Sequence, residues 1–486
     1  MHARFQCKSR RTHRWALVLL LLHIFMGPVT FGGPVVDDFA ANGYISARVH
    51  AIAPDSSGRI FLGGDFLAIN GEGRGRLARL LPSGALDSIY YYLNADLNCF
   101  AIQSDGKVLL GGAFQALNGV THRRIARLNV DGSVDESFTT NLNGTVNTIA
   151  VDSQDRILIG GYFSSVNGSY TGTLARLNSD GTLDSSFQGV QGAAPAAYVS
   201  SINIRTDGRI LIAGYFQRVA GVVRDGVALL EPNGILNTAF NPRVNGEVYG
   251  AAMYEDGRLI LYGSFLSVNG VFRDGVARLN ADGSLDLTFN PNPNGSVVGA
   301  TIAPDGSVWI IGMFTFVAAD TPSGLIGRRR TARYLANGSL DDTFNLGSEE
   351  APFAMSYQDP SRLLIGGSFD SYGGQSRSKL VRLYETIATA DSLLLRGSTI
   401  TWRRGANAAA LAAPPVLSVS VSGGPPTRIG RFTWDNGAWT IRNIPRAQGA
   451  YRYMVAARVA SSSGNGSSSV ADAESPEYLF RADFEP

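Results

Sequence analysis

Seven copies of one segment, spaced about 49 residues apart, constrain the fold of this chain more than any other feature. Each copy contains a run like GRILIAGYF. The phenylalanines ending these runs are Phe66, Phe114, Phe163, Phe216, Phe265, Phe314 and Phe369, separated by 48, 49, 53, 49, 49 and 55 residues. A period in this range marks a repeat architecture in which each copy is one supersecondary unit that cannot bury its apolar face alone.

The copy from Val146 to Phe187 holds four short apolar runs, at Val146–Val151, Arg156–Phe163, Thr173–Asn178 and Leu183–Phe187. Their length, their branched and aromatic content and the turn residues between them predict strands. Asp131-Gly132, Asn233-Gly234, Asp282-Gly283 and Asn337-Gly338 occupy one recurring turn, where glycine takes a positive φ without steric cost. Four antiparallel strands in each of seven copies predict an all-β fold, a seven-bladed β-propeller of four-stranded blades. A linear solenoid is the competing architecture.

The ends of the series favour a ring. Six copies close on a strand of the D-x-x-F kind, such as Val134–Phe138, whereas the seventh stops at LVRLYE (380–385). A matching piece, VVDDF at 35–39, precedes the first copy. The expected solution is a propeller closed by the N-terminal strand, which leaves no blade face uncovered.

The stretch SDGKVLLGGAFQALNG…RIARLNVDGSVDESF at 104–138 resembles the delta-60 repeat, a bacterial β-propeller repeat, and the likeness extends over residues 35–385. Copies four to six depart from it, with Ala213, Tyr262 and Ile311 at the first position of the Gly-Gly doublet, Ala220 in an Asn-Gly place and the insertion DTPSGLIGRRR at 320–330. The resemblance implies an extracellular or envelope propeller and carries over no catalytic residues. Kelch repeats share the doublet, but their later Tyr and Trp positions are missing here.

Residues 1–32 have the form of a signal peptide: five basic residues, the apolar stretch WALVLLLLHIFM (15–26), then Gly27 and Pro28. That core is too short to span a bilayer, so removal near Gly32 or Gly33 is expected, with no membrane span in the mature protein. Removal of those five leaves 37 Lys+Arg against 40 Asp+Glu, a formal charge of −3, which gives no support to a nucleic-acid partner. Secretion, or a periplasmic or cell-envelope location, follows. Only Cys99 then remains, so no intramolecular disulfide can form.

The propeller is expected over 33–389. Composition changes beyond it, and a small β-sandwich is expected over 390–476, followed by a C-terminal tail at 477–486. The DNG at 435–437 predicts a hairpin, and Trp402, Trp439 and Tyr451 supply an aromatic core. The I-x-W and Y-x-Y-x-V-A-A-R strings there resemble immunoglobulin or fibronectin type III domains. The ending SPEYLFRADFEP is similar to terminal motifs of secreted gammaproteobacterial proteins.

The mature chain holds two histidines, His50 and His122, too few for a His-rich metal site. His50 is expected in packing and His122 in a solvated loop. Strings such as NVDGSVD (129–135) space oxygens like a calcium loop but lack the closing Glu, so hairpin turns are the simpler reading. No metal or cofactor is expected. An Arg stands eight residues before the Asp of the closing strand in five copies (Arg79–Asp87, Arg127–Asp135, Arg176–Asp184, Arg278–Asp286, Arg333–Asp341), which predicts ion pairs within each blade. In copy four both charges vanish together, leaving Leu229 and Asn237.

What remains for binding is the second connection of each repeat. Variable loops on a rigid frame are where recognition concentrates. Arg123, Arg124, Arg328, Arg329 and Arg330 are the predicted ligand contacts, for an anionic extracellular glycan or a protein. The expected function is that of a non-enzymatic binding or scaffolding protein. The competing class is an extracellular carbohydrate-active enzyme, a lyase or hydrolase, with paired carboxylates in the channel.

Overall fold

The computed structural model describes residues 34–39, 43–190, 197–318 and 324–385 with their side chains, and the backbone of eight strands between 392 and 484. The signal segment and its cleavage site lie outside the described residues, as does the boundary at 389/390. Every described regular element is a strand.

One repeat shows why the sequence folds as it does. Thr145–Val151, Ile157–Tyr162 and Leu174–Leu177 form an antiparallel sheet in that order. The middle strand is buried from Ile157 to Gly161, as its continuous apolar run requires. All seven repeats build this sheet. The third turn tightens on glycine, with φ of 96° at Gly132, 96° at Gly181 and 90° at Gly283.

The fourth strand differs from expectation. In the first six sheets it is reduced to one bridge, such as Leu128↔Val134 or Leu177↔Leu183. The cause lies in the Asp of D-x-x-F. Asp135 Oδ1 accepts from Ser137 N at 3.1 Å and from Ser137 Oγ at 2.5 Å, an Asx-type turn that curls the backbone off the sheet edge.

The five expected ion pairs form, at 2.7–2.9 Å from Arg79–Asp87 through Arg333–Asp341. They also do more than sequence reasoning assigned them. Arg79, Arg127, Arg176 and Arg278 each donate through Nη1 to a turn carbonyl of the following sheet: Asp131 O at 3.3 Å, Ser179 O at 2.5 Å, Pro232 O at 2.5 Å and Ala336 O at 3.0 Å. In the fourth sheet Leu229 cannot do this. Arg205, from a different turn of that sheet, donates to the equivalent carbonyl, Ala281 O, at 3.4 Å.

Apolar burial lies between sheets as much as within them. One cluster joins Leu109 and Ile125 of the second sheet to Val146, Ile149 and Ile159 of the third. Another joins Trp309 and Ile311 of the sixth to Leu363, Ile365 and Val381 of the seventh. The first strand of each sheet lies beside the first strand of the next, and the series returns on itself: Val49–Pro54 lies against Pro352–Asp359. Across that junction Phe39, Ile45 and Val49 pack with Leu364 and Leu380. Gln358 Nε2 donates to Gly58 O at 3.1 Å.

The N-terminal strand Val35–Val36 pairs antiparallel with Leu380–Tyr384, registering Val35 with Tyr384 and Val36 with Leu383. It also brings in a sixth ion pair that the sequence reading did not find. Arg382 Nε donates to Asp37 Oδ2 at 2.6 Å, and the Arg382 guanidinium lies 4.0 Å from the Phe39 ring centroid.

The eight further strands form two four-stranded antiparallel sheets. One runs Ser392–Arg396, Thr399–Arg403, Ala438–Ile441, Thr433–Asp435, the other Thr427–Arg431, Val416–Val421, Tyr451–Ala456, Tyr478–Phe484. Trp402 and Trp439 occupy paired positions. The last strand falls in the segment expected as a separate tail. Its pairing with Tyr451–Ala456 makes it an edge strand, as its alternation of apolar and polar residues permits.

Candidate binding face

Strand register decides which loops share an end of the ring. Val49 opposes Gly64 and Pro54 opposes Ile60, while Leu77 continues from Gly63. The short first and third turns therefore lie at one end. The second connections and the links between sheets lie at the other. Most of the second connections carry a two-stranded hairpin of their own, such as Ala116–Leu117 with Val120–Thr121. Asn118 and Gly119 turn it, with φ of 52° and 84°, the positive pair that a two-residue hairpin requires.

The five arginines predicted as ligand contacts do not come together. Arg123 and Arg124 belong to the second sheet and Arg328, Arg329 and Arg330 to the sixth, which are not neighbours. Arg328 is 3% exposed. Its Nη1 donates to Gly327 O at 3.0 Å and its Nη2 to Asp341 O at 3.4 Å. Arg74, Arg224, Arg273 and Arg377 do the same in their own sheets. This arginine ties the hairpin base to the outer edge of the sheet.

Arg124 and Arg330 share a second repeated place, with φ of 75° and 63°. Arg124 donates to Ala113 O, and Arg330 Nε donates to Glu349 O at 2.9 Å. Only Arg123 and Arg329 stand exposed, and Arg329 is paired with Glu349 at 2.7 Å. The signal that separates these roles was in the sequence. A residue recurring at one offset, as at 74, 224, 273, 328 and 377, serves the frame, and recognition belongs to offsets that vary.

His122 departs from the solvated loop expected of it. It is buried where other repeats place the tying arginine, with Nε2 3.9 Å from Glu136. Burial pushes it below the ordinary histidine range, against the opposing pull of Glu136.

The offsets that vary lie at the inner edge of the same end. Every first strand carries a β-bulge at one place, at His50, Asn98, Asn147, Ser200, Tyr249, Val298 and Phe353. Such bulges re-aim side chains and cluster beside functional sites. The second glycine of each doublet permits the bulge. A Cβ on Gly112 would stand 2.2 Å from Asp96 O, and one on Gly161 2.1 Å from Thr145 O.

Two sectors differ in character. Around the first two sheets the mouth is charged. Arg48 grips Asp65 at 2.6 Å, Arg76 approaches Asp96 at 3.4 Å, and His50 Nε2 lies 3.8 Å from Asp65. Burial lowers the His50 pKa, and the Asp65 charge only partly offsets this. His50 also lies 5.4 Å from the Phe353 ring, so it combines packing with a place on the mouth. Around the third to fifth sheets the mouth is aromatic. Tyr162 and Tyr215 are 54% and 48% exposed, Tyr198 lies across the pair from Tyr215, and Tyr198 Oη donates to Glu247 of the next sheet. Among the described residues, no cluster of His, Cys, Asp or Glu could hold a metal ion.

Six stretches, residues 56–88, 103–138, 155–187, 205–240, 255–289 and 361–383, match the family model described as a domain of unknown function (DUF5122) beta-propeller. No curated protein matches the chain. Among solved structures, the chain is similar to the extracellular domain of a hybrid two component system from B. thetaiotaomicron, at 14% identity and a TM-score of 0.42, over 85% of this chain and 53% of that one. It is also similar to the extracellular domain of a one component system from the same organism, at 12% identity and a TM-score of 0.42, over 85% of this chain and 54% of that one. The chain thus spans about half the length of those two domains. YCF48 bound to D1 peptide is similar at 12% identity and a TM-score of 0.38, over 70% of this chain and 94% of that one.

Proposed function

We propose that the seven sheets close as a seven-bladed β-propeller of the delta-60 kind, exported from the cytoplasm and followed by an immunoglobulin- or fibronectin-like β-sandwich. Its function is non-enzymatic: a rigid ring presents the inner mouth of one end to an extracellular ligand. One observation carries this reading. Seven structurally equivalent bulge positions hold His, Asn, Asn, Ser, Tyr, Val and Phe, while the Gly, Arg and Asp positions around them repeat. A frame that repeats and an inner edge that varies is the arrangement expected of a recognition surface.

Export is supported by the N-terminal segment with its basic start and short apolar core. The enzymatic alternative needs a carboxylic acid and a carboxylate facing one cleft. At the mouth Asp65 and Asp96 are each engaged by an arginine, Arg48 and Arg76. The test is an array of glycans and peptides probed with the exported protein, followed by product analysis of every glycan retained. Binding without cleavage is expected, and release of shortened glycan would assign the protein to the carbohydrate-active enzymes.

A further inference from the structure

We infer that the aromatic sector of the mouth is a subsite for a neutral saccharide, an inference that rests on the binding function proposed above. Its floor is built from two successive sheets, the third and the fourth. Tyr198 and Tyr215 are registered partners, with ring centroids 6.0 Å apart and planes inclined by 31°. Registered cross-strand partners project from one face of the sheet, so the two rings stand together as a shelf. Tyr162 holds in the third sheet the place that Tyr215 holds in the fourth, immediately after the second glycine position of the doublet, and it extends the shelf by one sheet. Tyr162 and Tyr215 present their rings to solvent, and among the described residues no aromatic ring packs on that of Tyr162.

A sugar ring has an apolar C–H face and a rim of hydroxyls, and the rim of this shelf is polar. Glu247 accepts from Tyr198 Oη, which fixes one carboxylate oxygen and leaves the other to accept from a hydroxyl. Ser200 donates to Val248 O at 3.1 Å and keeps its own acceptor capacity. Asn147 accepts from Asn98 Nδ2 at 3.5 Å, which leaves its amide hydrogens to donate. Donors and acceptors around an aromatic floor suit a polyhydroxylated neutral ring. An anionic sugar would meet the Glu247 carboxylate. A quaternary ammonium needs rings converging on one point and gains nothing from the hydroxyl and amide groups.

Titration calorimetry on the full-length exported protein tests this, with cellohexaose and laminarihexaose as neutral probes and a galacturonic acid hexamer and choline as controls. A neutral hexaose should bind with an affinity nearly unchanged between low and high salt. Tyr215→Ala and Tyr162→Ala should each weaken it by about tenfold or more at unchanged melting temperature, since each removes one stacking face. Glu247→Gln should weaken it several-fold, and Tyr44→Ala, at an exposed tyrosine before the first sheet, should not. Hexaose binding that survives both tyrosine variants would overturn the subsite while leaving the binding function intact. Binding of choline or the acidic hexamer alone would overturn the ligand class. Absence of binding by all four probes would overturn the subsite, and cleavage of a bound hexaose would overturn only the non-enzymatic reading.

Discussion

Arg127 shows what a single repeated residue does in this protein. Its Nε donates to Asp135 at 2.9 Å, its Nη1 reaches Gln103 at 3.2 Å and Ser179 O of the next sheet at 2.5 Å, and its guanidinium lies 4.6 Å from the Phe138 ring centroid. Removal of one partner of such a buried pair leaves an uncompensated charge, so Arg127→Leu should cost about 3–5 kcal/mol. Pairing it with Asp135→Asn, the combination found at Leu229 and Asn237, should recover part of that loss. A double-mutant cycle of melting temperatures measures the coupling, and purely additive losses would reject it.

The same pairs set the acid limit of the fold. Burial of Asp135 opposes its ionisation, yet hydrogen bonds from Ser137 and Lys107 and the Arg127 charge outweigh burial and hold the carboxyl well below the usual range. Asp87, Asp184 and Asp286 are depressed in the same way. A carboxyl lower in the folded state than its unfolded value of about 3.9 adds stability that is complete above about pH 5 and is lost as pH falls through and below 4. Denaturant melts should therefore decline modestly from pH 7 to 5, where His50 and His122, held neutral by burial, must take up protons, and fall steeply in more acid solution. The Arg127→Leu/Asp135→Asn variant should fall less steeply, and an equal slope would remove Asp135 from the cause.

At the scale of the element, the glycine doublet explains both the regularity of the sheets and their exceptions. The second glycine faces the carbonyl of the bulged first strand, so Gly161→Ala should cost about 3 kcal/mol or more, because backbone must move. A thermal melt checks this, and a loss below 1 kcal/mol would mean the bulge yields easily. The first glycine is a matter of volume. Where it becomes Tyr262 or Ile311, the residue across the strand pair becomes Gly250 or Gly299, against Cys99 opposite Gly111. Large and small have exchanged places across the pair.

Strand positions, the Gly and Asp turns and the Arg–Asp pairs were legible in the sequence, because each recurs at a fixed offset that only geometry could impose. The shortened fourth strand was not, since the same Asp that marks it also turns its backbone away. Arg328, one of the tying arginines, was read as a ligand contact for a similar reason. A run such as Arg328–Arg330 looks like one feature, yet its members alternate between a buried strut, an exposed side chain and a left-handed backbone position. The bulged mouth was missed because a bulge leaves no mark in residue type beyond the second glycine.

For the whole molecule, the central claim is that the N-terminal strand completes the last sheet and closes the ring. Val36 and Leu383 face each other, and Asp37 N donates to Arg382 O at 3.1 Å beside them, which makes Val36 and Leu383 a non-hydrogen-bonded pair with closely spaced Cα atoms. That spacing suits a disulfide. The most direct measurement is therefore the mass and melting temperature of a Val36→Cys/Leu383→Cys variant, in a Cys99→Ser background, under oxidising conditions. The account predicts a monomer with one intramolecular disulfide and no free thiol. It also predicts a melting temperature raised over the reduced form, because the bond closes nearly the whole ring as one loop, worth about 6 kcal/mol in the chain-entropy view. Free thiols in the folded protein, or disulfides only between molecules, would show that the two ends do not meet.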